Sequence, residues 1–137
     1  MRDASLRRRA PFVGGHVLTQ YNNLHKSTRG EMVDLVLVLT TMPDDRSTDE
    51  LARTLVSERL AACVNVHTPM MSTYEWKGKI EREAERQLVI KTSNDRLVAL
   101  ESRLRDLHPY EVPEFIVLSA SASDAYGAWV EEIGRQT

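Results

Sequence analysis

The order in which the hydrophobic period changes between Val33 and Ile133 constrains this chain more than any other feature. Val33–Leu39 is a near-continuous apolar run of the kind that fills a strand buried on both faces. Thr40-Thr41-Met42-Pro43-Asp44-Asp45 interrupts it. Ser47 followed by Glu50 is a capping-box pattern, and Asp49 and Glu50 suit the positive end of a helix. Leu51, Ala52, Leu55, Val56 and Leu60 then recur at helical spacing, which predicts a helix ending near Leu60–Ala62.

Cys63–His67 then reads as a second strand, running on past Pro69 to Tyr74. Proline has no amide proton for the ladder, so a bulge or a sheet edge is expected at Pro69. Trp76-Lys77-Gly78 supplies a turn into a third strand, Lys79–Thr92. Its first half (Glu81, Arg82, Glu83, Glu85, Arg86) is polar, and its second half (Leu88, Val89, Ile90) is apolar. Strands of that length outrun the core of one small domain. The polar half is therefore expected to meet solvent or another subunit.

Ser93 is placed to cap a second helix carrying Leu97, Leu100, Leu104 and Leu107 at spacings of three, four and three. His108-Pro109-Tyr110-Glu111-Val112-Pro113 follows as a stiff loop, because each proline fixes its own φ and keeps its predecessor out of the helical region. Phe115–Leu118 reads as a fourth strand. Ser123-Asp124 opens a last helix with Tyr126, Trp129, Val130 and Ile133 on one side. The order β-α-β-β-α-β with a C-terminal helix predicts an α+β, ferredoxin-like sandwich. In such a fold an antiparallel sheet carries two helices on one face.

Length allows one such domain: 137 residues, 42% apolar and 28% charged, as in ordinary globular chains. Charge divides it. Residues 1–32 carry six basic side chains against two acidic ones, whereas the rest carries twelve against eighteen. We therefore expect a flexible basic N-terminal extension over 1–32 and the folded domain over 33–137. Arg7-Arg8-Arg9 resembles the start of a twin-arginine export signal, but the apolar stretch behind it holds His16 and two glycines and ends by Leu18. A disordered arm, or residues upstream of a natural start at Met32, fits the pattern better, and a cytoplasmic location is expected.

No run of eighteen apolar residues is present, so no transmembrane helix is expected. A net charge of −2 gives no reason to expect nucleic acid as a partner. The lone Cys63 excludes an internal disulfide and any multi-cysteine metal centre within one chain.

Five motifs stand in a fixed order: Leu60-Ala61-Ala62-Cys63-Val64-Asn65-Val66; Ser72-x-Tyr74-x-Trp76-x-Gly78; Ile90-Lys91-Thr92; His108-Pro109-Tyr110-x-x-Pro113-Glu114; and Tyr126-x-x-Trp129. In these the chain resembles the CutA divalent-cation tolerance family. The resemblance implies a ferredoxin-like protomer in a tight homotrimer, related in architecture to the P-II signalling proteins, with long strands reaching into the neighbouring sheet. It implies a role in tolerance to divalent cations, copper above all. The copper positions of the family are a cysteine at the end of the first strand and a histidine pair ahead of the Pro-Tyr of the second loop. Here these read Thr40 and Leu107-His108, which leaves His108 as the one metal candidate, for Cu(II) or another divalent cation. One imidazole makes a poor copper site, because useful affinity needs several converging soft or nitrogen donors.

Further candidates for a ligand cleft or a subunit interface are Cys63, Tyr74, Trp76, Lys91, Tyr110, Glu114 and Trp129. Cys63 opens a buried strand and reads first as a small core side chain. Trp76 at a hairpin turn is expected to be covered by a neighbouring subunit. Lys91 is placed to pair with Glu114 or to line an inter-subunit cleft. Glu111 and Glu114 flank Pro113 closely enough to co-ligate a hard cation. No nucleophile–base pair stands out. The loop before the first helix presents Asp44 and Asp45 where a bound phosphate needs amides and cations, so no enzyme is expected. The alternative function is a P-II-like small-molecule sensor with an anionic ligand held between subunits at Lys91 and Tyr110.

Overall fold

The computed structural model describes residues 32–135. The basic N-terminal extension expected over 1–32 lies outside the described residues, apart from Met32. The elements run β1 (Met32–Pro43), α1 (Arg46–Ser57), β2 (Cys63–Val66), β3 (Met70–Trp76), β4 (Lys79–Thr92), a 3-10 turn (Asn94–Arg96), α2 (Leu97–Leu107), β5 (Ile116–Ser123) and α3 (Asp124–Arg135). The sheet is antiparallel in the order β2-β4-β1-β5, with β3 also paired to β4. This is the α+β, ferredoxin-like arrangement expected from the changes of period.

Strand parity assigns the two faces of the sheet. Val36, Val38 and Met42 of β1 stand opposite Thr92, Ile90 and Arg86 of β4 and point toward α1 and α2. Leu51 and Leu55 of α1 and Leu97, Leu100 and Leu104 of α2 close over them. Each such fully buried leucine contributes about 1.5–3 kcal/mol. We call this the inner face. Leu35, Leu37, Leu39 and Thr41, with Glu85, Gln87, Val89 and Lys91, form the outer face. Helix α3 crosses one end of that face, where Gly127 lies against Val33.

Element ends differ from the sequence reading in instructive ways. The cap of α1 is Asp45, whose carboxylate accepts from Ser47 N–H at 2.8 Å, and Ser47 already lies inside the helix. The helix stops at Ser57 rather than near Leu60. Leu60 N–H reaches back to Leu55 C=O and Arg59 N–H to Val56 C=O, a Schellman closure that places Arg59 at φ 61°. Ser93 precedes a 3-10 turn, not the helix itself, and its hydroxyl bonds to Asp95.

The strand expected to pass through Pro69 is split there into β2 and β3. β5 runs on to Ser123, because the small residues Ser119–Ser123 pair with Met32–Val36 of a first strand that begins earlier than its apolar run. On α3 the packed side is Gly127, Val130 and Gly134, while Tyr126 and Trp129 are exposed. Gly127, set against Val33, lets the helix approach the sheet more closely than the aromatic side could, and Gly134 makes room for the Arg96 side chain.

Beyond Glu85, which stands opposite Pro43 at the end of β1, β4 pairs only with β3 among the described strands. Lys79–Glu85 and Met70–Trp76 thus form a two-stranded arm. Its turn has Lys77 at φ 50° and Gly78 at φ 76°, the left-handed pair that a tight hairpin requires.

Candidate functional site

The loop after α2 lies along the end of β1, past the point where β1 leaves β5, and its side chains reach the outer face. His108 is the C-cap of α2, and its N–H bonds to Leu104 C=O at 2.8 Å. Its ring is buried, and both nitrogens are engaged. Nδ1 accepts from Tyr110 N–H at 3.0 Å, which assigns the proton to Nε2, and Nε2 then donates to Thr41 C=O at 2.8 Å. The Tyr110 ring folds back on the imidazole, with centroids 4.9 Å apart.

The Tyr110 hydroxyl donates to Glu85 Oε2 at 2.7 Å. Glu85 is only 1% exposed, so it leaves the solvated polar half of β4 to which its sequence context assigned it. Next along the same face, Gln87 Nε2 donates to Thr40 C=O at 2.8 Å and to Glu114 Oε2 at 2.9 Å. Thr41, directly across from Gln87, is buried, and its hydroxyl has no partner among the described residues. The outer face thus holds a polar row at the root of the arm, built from Glu85, Gln87, Tyr110 and Glu114. Glu85, Gln87 and Thr41 were not singled out from sequence. The signal was available in parity, since Glu85, Gln87 and Val89 share one face of β4.

The copper positions implied by the resemblance do not come together as a ligand set. Thr40 is fully buried on the inner face, and Leu107 packs against the core there. Neither side chain is a copper ligand, and His108 spends both nitrogens on backbone partners. Among the described residues no group of three or more His, Cys, Asp or Glu is arranged to hold a metal ion. Glu111 is exposed, and Glu114 is turned to Gln87.

The remaining candidates are spread over the outer face and the arm. Lys91 does not pair with Glu114; its ammonium stands 5.7 Å from the centre of the exposed Tyr126 ring. Tyr126 in turn lies 5.6 Å from Trp129. Cys63 is half-buried directly across from Lys91. Out on the arm, Tyr74 donates to Glu83 at 2.7 Å, and the half-buried Trp76 has Lys77 Nζ 6.0 Å from its ring. No described helix is long and apolar enough to cross a membrane.

Comparison with known proteins gives a consistent picture. Residues 36–133 match the model of the CutA1 divalent ion tolerance protein family. The chain is 40% identical over 100 residues to the divalent-cation tolerance protein CutA of Pectobacterium atrosepticum, covering 72% of this chain and 91% of that protein. It is 43% identical over 94 residues to human protein CutA, covering 68% of this chain and only 52% of the human protein. The solved structure of CutA from Synechococcus elongatus superposes with a TM-score of 0.71 at 39% identity, over 75% of this chain and 95% of that one.

Proposed function

The chain belongs to the CutA1 divalent ion tolerance family, and from that premise we propose that it acts as a cytoplasmic homotrimer in the cellular response to divalent cations, copper among them. The observation that carries the trimer is the arm. A two-stranded hairpin projecting past its own sheet is marginally stable in water, and a neighbouring sheet is the natural support for it. The outer face favours the same reading. Leu37, Leu39 and Val89 are half-buried there, and Ile116 and Leu118 on β5 are each 45% exposed. Apolar surface left open on a protomer in this way marks a protein contact.

In this reading Trp76, Tyr74 and the polar row at the arm's root lie at or near subunit boundaries. Lys91, Cys63 and the Tyr126–Trp129 pair line the outer face beside them. The role is one of binding and assembly rather than catalysis. The P-II-like architecture leaves a second use for the same surfaces, an anionic metabolite held between subunits. Lys91, a cation on an otherwise apolar stretch of the outer face, is the residue that favours it.

Growth under copper tests the cellular role. A bacterial host lacking its own family member, supplied with this protein, should tolerate a higher copper concentration than the same host with an empty vector. Equal sensitivity of the two strains would contradict the assignment.

A further inference from the structure

A histidine ligates a metal through a ring nitrogen with a free lone pair, while its other nitrogen is held by a hydrogen bond. His108 departs from that pattern on both sides. Its one deprotonated nitrogen, Nδ1, is occupied by Tyr110 N–H, and its protonated Nε2 is held by the Thr41 carbonyl. A copper ion would have to break one of these bonds in a site 7% exposed, with the hydroxyl of Thr40 and the alkyl group of Leu107 at the other two positions. The donor set does not fit copper.

We infer that His108 is a positioning residue, a latch that shapes the second loop and aims Tyr110 at Glu85, and that it contributes no ligand to any divalent cation the protein takes up. The geometry gives the latch a direct purpose. Acceptance of the Tyr110 amide by the side chain two residues earlier closes a ring resembling an Asx turn, and it bends the chain around Pro109. That bend brings the phenol to the Glu85 carboxylate, which at 1% exposure depends on donors from the protein. Glu85 is the residue at which β1 stops and the arm begins. The line Thr41–His108–Tyr110–Glu85 therefore ties the loop to the root of the arm. The inference goes beyond the cation-tolerance reading and does not depend on it, because it is tested on the isolated protein.

Two variants of similar size separate the roles. His108→Asn keeps a side-chain oxygen to accept Tyr110 N–H, whereas His108→Leu keeps neither bond, and both remove the imidazole. Cu(II) titration of the full chain, followed by calorimetry and electron paramagnetic resonance, should give dissociation constants within twofold of wild type for both. Any nitrogen splitting in the spectrum should be unchanged. Wild-type protein that takes up no Cu(II) supports the same conclusion.

The melting temperature should fall by about 4 °C or more in His108→Leu and by less than half as much in His108→Asn. Tenfold or greater weakening of Cu(II) binding in His108→Asn would overturn the exclusion of His108 as a ligand. Equal destabilisation by Asn and Leu would overturn the latch.

Discussion

Thr40 carries a hydroxyl that is fully buried on the inner face and has no hydrogen-bond partner among the described residues. Such a group loses its water without recompense. Valine has nearly the same shape, so Thr40→Val should leave stability unchanged or raise it by up to about 1 kcal/mol, read from the urea midpoint. A loss of stability would mean that the hydroxyl has a partner after all. At this scale the sequence was only partly legible. The motif around His108 singled out the right loop, but residue type alone does not say where a ring's two nitrogens point. Glu85 was obscured by its neighbours: Glu81, Arg82, Glu83 and Arg86 make the stretch look uniformly solvated, and only the far partner Tyr110 distinguishes it. The Glu111/Glu114 pair looked like a cation site for the opposite reason, because spacing cannot reveal that Glu114 turns to Gln87.

Among the elements, the order β-α-β-β-α-β was readable because each change of period is driven by burial against the same core. Boundaries were less so, because they depend on bonds that only the folded chain forms. The end of α1 is the clearest case. A Schellman closure forces its residue after the cap into the left-handed region, and here that residue is Arg59 rather than the usual glycine. Arg59→Gly should therefore stabilise the protein by about 0.5–1 kcal/mol, measured by chemical denaturation, by relieving the steric cost of a Cβ at positive φ.

The docking of α3 gives a prediction of opposite sign. A Cβ built on Gly127 would stand 2.4 Å from Val33 Cβ, and neither the strand nor a β-branched side chain can move aside cheaply. Gly127→Ala should cost about 1–3 kcal/mol, with the loss visible in the same denaturation experiment. That close approach also explains why the Tyr126–Trp129 side, although the more apolar by composition, is not the packed side. β5 was underestimated because Ser119–Ser123 carries no hydrophobic signal, and its pairing comes from β1.

For the whole molecule, two features find no partner among the described residues: an arm longer than its sheet and an outer face that keeps Ile116 and Leu118 open. The length of the arm was legible from Lys79–Thr92. The polar row at its root was not, because it joins residues from β4 and a loop more than twenty positions away. A homotrimer gives both features a purpose, and it accounts for a β3–β4 hairpin that a single chain would leave unsupported. The most direct test is the mass in solution at micromolar concentration, by light scattering coupled to size exclusion. The account predicts three times 15.6 kDa, about 47 kDa, and a shift toward the protomer in the Leu118→Lys variant, which places a charge on the outer face. A stable, well-folded protomer of 15.6 kDa in the wild type would contradict it.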